Sequence, residues 1–207
     1  DFWLKLCGSK CLRMGAALNT VNCRLGSYDA PGYVGLPAIS GLLYVGNQYS
    51  AANAEFDFVV AACEPLDKDG EHHLNLTTHN VHFDDSESVE HVDESKAGMM
   101  DGAATIAAAL AAGQRTLVIC KRGESQSPAI CCAYAILYRA WEADRAIEYV
   151  SDQILDGRVY LFMRPLRNKA FNSILRQFEK ERADVLGSPE LWSITGDTAD
   201  MLKKQRR

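Results

Sequence analysis

Apolar positions recur along this chain in two rhythms, one of short runs and one of helical stripes. Short, β-branched runs stand at residues 56–63 and 114–119, the composition of strands buried on both faces. Residues 38–47 read as a strand or hairpin closed by Gly46-Asn47. Residues 72–83 alternate in part, with Leu74, Leu76, Val81 and Phe83 apolar, and predict a strand pair or one broken strand. The longer segments carry helical spacing. An Ala-rich stretch at 99–112 ends against Gly113, a good C-terminal cap. Ser127 and Pro128 suit the cap and first position of a helix running to Arg139. Ala146, Ile147, Val150 and Ile154 form one apolar stripe over 142–154, and Phe171, Leu175 and Phe178 another over 168–182. Residues 29–37 are rich in Gly and Pro and predict a loop, and Ser50 suits the cap of a short helix over 50–55. Strands interleaved with helices predict an α/β fold: a central, mostly parallel sheet of four or five strands with helices on both faces.

The bulk chemistry narrows this picture. The chain has 207 residues, 47% apolar and 24% charged, which suits one globular domain with appendages. A net charge of −5 weighs against nucleic acid or an anionic membrane as the main partner. Seven cysteines without framework spacing point to reduced thiols, hence to the cytosol or nucleus. The first residues lack the basic, apolar, small order of a secretion signal. Cys7 and Cys11 have no matching second pair of ligands nearby. His72, His73, His79 and His82 fit the polar face of a strand, so neither a metal nor a cofactor is expected.

The densest chemistry lies in residues 117–128, where an apolar run ends in Cys120, a short loop holds Gly123, and Ser127-Pro128 opens a helix. Backbone N–H groups in such a loop converge on an anion, and the helix N-terminus adds positive potential. That field favours a thiolate at Cys120, and a thiolate facing an anion cradle can attack a phosphoester.

The segment resembles the signature loop of the dual-specificity group of cysteine-dependent protein phosphatases, whose pattern is His-Cys, five residues, Arg, then Ser or Thr. Cys120, Gly123, Ser125, Ser127 and Pro128 fall in register with it. The resemblance extends to the Gly-Leu-Leu-Tyr-Val-Gly run at 41–46 and to an Asn168…Phe171…Leu175…Phe178 helix. It implies a domain over 38–182, an N-terminal extension over 1–37, and a C-terminal extension over 183–207 ending in a basic tail. By resemblance, Cys120 is the nucleophile, Ser127 helps the thiolate leave, and Lys121, Arg122, Gly123, Glu124, Ser125 and Gln126 form the phosphate-binding loop. An Asp at the end of a strand serves such enzymes as general acid. Asp85, 35 residues before Cys120 and followed by Ser86, fits that place better than Asp84.

Two positions depart from the pattern: Ile119 stands where the family has His, and Gln126 where it has Arg. A phosphate monoester carries nearly two negative charges, and the family's guanidinium grips two of its oxygens. A neutral carboxamide cannot. Losing one preorganised donor at developing charge costs about 10²–10³ in rate. Ile119 cannot support the loop by hydrogen bonding, and Glu124 adds a like charge. Lys121 and Arg122, on the rim, are not expected to replace the guanidinium. The reading is an impaired member, a pseudophosphatase that binds phosphorylated or acidic protein segments or scaffolds partners. The alternatives are an active phosphatase acting through a cysteinyl-phosphate, and a pure interaction module.

Overall fold

The computed structural model describes residues 32–52, 56–63, 76–157 and 164–186, the last four without their side chains. The readings made above of Cys7, Cys11, His72, His73 and the tail at 203–207 lie outside the described residues. Five strands form one sheet in the order β1-β2-β5-β3-β4. They are β1 (Tyr33–Gly35), β2 (Leu43–Asn47), β3 (Phe58–Ala61), β4 (Thr77–Asn80) and β5 (Thr116–Cys120). β2, β5, β3 and β4 run parallel, and β1 pairs antiparallel with β2 at the edge. The helices are α1 (Val92–Ala111), α2 (Gln126–Arg139), α3 (Ala143–Gly157) and α4 (Lys169–Leu186). The architecture is thus the mixed α/β sheet that the strand and helix rhythms predict.

Strand alternation sorts the core into two layers. Val34, Val45, Val60 and Val118 face the four helices in one continuous core. Tyr33, Val59, Ala61, Leu117 and Ile119 face the other way, into a smaller cluster with Phe56 and Ala51. Among the described residues, then, all four α-helices share one face, and only a 3-10 turn at Ser50–Ala52 meets the other. α2 is the buried axis of the helical layer, with eleven of its residues enclosed from Ser127 to Leu137. Its neighbours come close because glycines allow it: a Cβ at Gly102 would stand 2.7 Å from Ile130 Cγ2.

Several boundaries move. The Gly- and Pro-rich stretch at 29–37 contains β1, since Tyr33 and Val34 each bury their side chains on opposite faces. α1 begins seven residues before the expected start, because the acidic residues Asp93 and Glu94 sit in its first turn, where the helix dipole favours them. Gly113 follows its end with φ of 75°, and its N–H meets the carbonyl of Leu110 at 3.0 Å. Ser50 opens a 3-10 turn at Ser50–Ala52. Its Oγ donates to Gly32 O at 2.8 Å and accepts from Asn47 N at 3.1 Å, tying β1 to the end of β2.

Candidate functional site

β5 is the central strand, flanked by β2 and β3, and Cys120 is its last residue. The chain leaves the sheet there, turns through 121–125 and enters α2. Gly123 makes the turn with φ of 69°, a conformation that disfavours a side chain. Its N–H donates to Cys120 Sγ at 3.2 Å. Ser127 Oγ also lies 3.2 Å from Cys120 Sγ and 3.3 Å from Gly46 O at the end of β2. Cys120 is 3% exposed, and Ser127 is fully buried. Two donors therefore meet one sulfur at the head of a helix.

α2 begins at Gln126, two residues before the expected Pro128, with Ser125 as its cap residue. Ser125 makes no side-chain cap bond. Its hydroxyl instead donates to Asp85 Oδ1 at 2.7 Å. Asn168 Nδ2 donates to the same oxygen at 2.9 Å and to Ser86 O at 3.2 Å. Asp85 is thus hydrogen-bonded to the loop that follows Cys120, whereas Asp84 lies 3.9 Å from His91 Nδ1. Gln126 Nε2 donates to Phe83 O at 2.6 Å. One of its two N–H groups is thereby spent on a backbone carbonyl three residues beyond β4. Ile119 is fully buried on the opposite face of the sheet among apolar neighbours.

Cys120, Asp85 and loop residues Lys121, Arg122, Glu124, Ser125 and Gln126 line one open cavity of about 1,090 Å³. Lys121 and Arg122 are exposed at its rim, and Glu124 is half-buried. Its far wall is the 164–168 segment and the start of α4. There Leu166 adopts φ of 58° and donates its N–H to Glu124 O at 2.8 Å. Asn168 also caps α4, accepting from Phe171 N at 3.1 Å. Its grip on Asp85 is not legible in the sequence. Beneath the loop, Cys131 and Cys132 are fully buried in the core. Burial pushes both thiols up. Both stay neutral. His79 is hydrogen-bonded to Asp101 at 2.8 Å, away from this cavity.

A cysteine at the end of a central parallel strand, a glycine-bearing loop and a helix head define the fold of the cysteine-dependent phosphatases. The chain belongs to the family described as dual specificity phosphatase, catalytic domain, whose model matches residues 43–181. Protein phosphatase Slingshot of Drosophila melanogaster is 31% identical over 135 residues, 61% of this chain; the chain spans 12% of that relative's length. Among solved structures, human DUSP28 matches with a TM-score of 0.52 at 23% identity, over 69% of this chain and 90% of that one. A mouse putative dual specificity phosphatase complexed with zinc tungstate matches with a TM-score of 0.53 at 20% identity, over 81% and 96%. At such identities these two show the fold. Among the described residues no helix is long and apolar enough to cross a membrane.

Proposed function

We propose that this chain is a catalytically impaired dual-specificity-phosphatase-like protein that binds phosphorylated or acidic protein segments at the Cys120 loop. The observation that carries this reading is Gln126. It stands where the family has its phosphate-gripping Arg, and its amide donates to Phe83 O. The cradle is left with backbone N–H groups, the α2 head and Ser127, and with no guanidinium at that position. Such a cradle holds an oxyanion weakly and offers no cation to follow charge as it shifts in the transition state. Lys121, Arg122, Gly123, Glu124, Ser125 and Gln126 then contribute mainly backbone, and Lys121 and Arg122 select acidic segments from the rim.

A second reading is favoured by the convergence of Cys120, Ser127 and Asp85. In it, Cys120 attacks the phosphorus, Asp85 protonates the leaving oxygen, and Ser127 steadies the thiolate when water splits the cysteinyl-phosphate. One assay separates the two. The protein and its Cys120→Ser variant are compared on a generic aryl phosphate, with inorganic phosphate titrated in parallel. Oxyanion binding without turnover supports the binding role. Turnover that vanishes in Cys120→Ser establishes the phosphatase instead. Neither binding nor turnover would leave an interaction module whose partner surface lies elsewhere.

A further inference from the structure

Four residues grip the segment between β4 and α1, and they come in two consecutive pairs. Ser125 and Gln126, the cap and first residue of α2, hold Asp85 and Phe83 at 2.7 and 2.6 Å. Asn168 and Lys169, the cap and first residue of α4, hold Asp85 and Glu87: Asn168 Nδ2 reaches Asp85 Oδ1 at 2.9 Å, and Lys169 N reaches Glu87 Oε1 at 3.1 Å. Phe83 is also wedged by packing. It is 5% exposed, its ring lies edge-on to Phe171 at 5.6 Å, and a Cβ on Gly98 of α1 would collide with it. The carbonyl of Phe83 emerges from this wedge, two residues before Asp85, and the Gln126 amide meets it there.

We propose that Gln126 is a positioning residue, a neutral strut that fixes the acid segment 83–87 against the head of α2 before any ligand arrives. This goes beyond the binding role above, because it assigns the side chain at 126 to the acid segment rather than to the anion. The chemistry is direct. A carboxamide has two N–H donors and no charge, so it can satisfy a backbone carbonyl without a counterion. The bond is short and partly buried, and breaking it strands an acceptor in a crowded site. Ser125 serves the same end, giving its hydroxyl to Asp85 rather than to the helix it heads. The segment is therefore held at both ends, Phe83 by Gln126 and residues 85–87 by Ser125, Asn168 and Lys169.

The test is backbone ¹⁵N relaxation on the full chain, read at residues 84–87, for wild type, Gln126→Met and Ser125→Ala. Met keeps the length and volume of Gln and removes the donor. Wild type should show rigid order parameters of about 0.85 there, falling below about 0.6 in Gln126→Met. Ser125→Ala should loosen residues 85–87 alone and keeps the test alive if Gln126→Met does not fold. Inorganic phosphate is titrated into the same samples. Unchanged order parameters at 84–87 in both variants would overturn the proposal. So would an affinity loss of about tenfold in Gln126→Met, which would make the carboxamide an anion contact. If wild type binds no phosphate, the binding role falls, and the relaxation measurement still decides the strut.

Discussion

Gln126→Arg tests the electrostatic reasoning in the forward direction. Two opposed quantities set its size. Restoring a charged, two-pronged donor at the head of α2 should return at least what one oxyanion donor is worth, about 2.7–4 kcal/mol. Removing the carboxamide gives up the 2.6 Å bond to Phe83 O, a net loss of about 0.5–1.5 kcal/mol, felt as a looser acid segment. The balance is a gain of roughly 1–3.5 kcal/mol in transition-state stabilisation, or about tenfold to a few hundredfold in kcat/KM. The assay is aryl phosphate hydrolysis by wild type, Gln126→Arg and the double variant with Cys120→Ser. The gain should vanish in the double variant, because a guanidinium without the nucleophile has no transition state to stabilise. An inert Gln126→Arg that still folds would show that the deficit extends beyond one side chain. Brisk wild-type turnover would refute the premise outright.

Two further outcomes follow from packing and charge. Gly98→Ala places a methyl against the Phe83 ring, so it should destabilise by about 1–3 kcal/mol by overpacking and lower the melting temperature by several degrees; thermal unfolding followed by circular dichroism measures it. Glu181 accepts from Lys96 at 2.8 Å and from Gln177 at 2.7 Å, and these bonds hold its carboxyl below the usual range. A carboxyl depressed in the folded state stabilises it above the unfolded value, near pH 4.3, and that contribution fades as the pH falls through the folded value. Glu181→Gln should therefore melt below wild type at pH 7 and converge with it in acid, with the gap at pH 7 shrinking in high salt.

The fold was legible because it rests on periodicity, and periodicity survives in a single sequence. Val118 and Val60 against Leu117 and Val59 announce buried parallel strands, and the Phe171, Leu175 and Phe178 stripe announces a helix with one apolar face. The loop was legible by the register of Cys120, Gly123 and Ser127. What escaped was every feature decided by long-range contact. β1 was hidden by the Gly and Pro around it, since its strand character comes from pairing with β2 and not from its own composition. Ser127 read as the helix cap, yet the cap residue is Ser125, and both it and Asn168 reach across to Asp85 in a segment some forty and eighty residues earlier. The carboxamide of Gln126 read as a poor substitute for a guanidinium. Its acceptor is a backbone carbonyl, which no residue type discloses.

The other departure from the family, Ile119, belongs to a different part of the molecule and should respond differently. Its side chain is fully buried on the face of β5 away from the helices, with Leu117, Ala61 and Tyr33 in the same cluster. A family histidine at this position supports its loop by hydrogen bonds, which requires partners for both ring nitrogens. The surroundings of Ile119 are mostly apolar, so an imidazole there would bury a polar ring at a cost of about 1–3 kcal/mol. Ile119→His should therefore lower stability without raising turnover. Combined with Gln126→Arg it should add nothing, because position 126 acts on the ligand side of the loop and position 119 on the packed side. A denaturant midpoint for each variant gives the first quantity, and kcat/KM for the double variant gives the second. If the double variant exceeds Gln126→Arg by about tenfold or more, the loop depends on a polar support that this cluster can still provide. In that case the apolar packing around Ile119 would be a consequence of losing the histidine rather than a replacement for it.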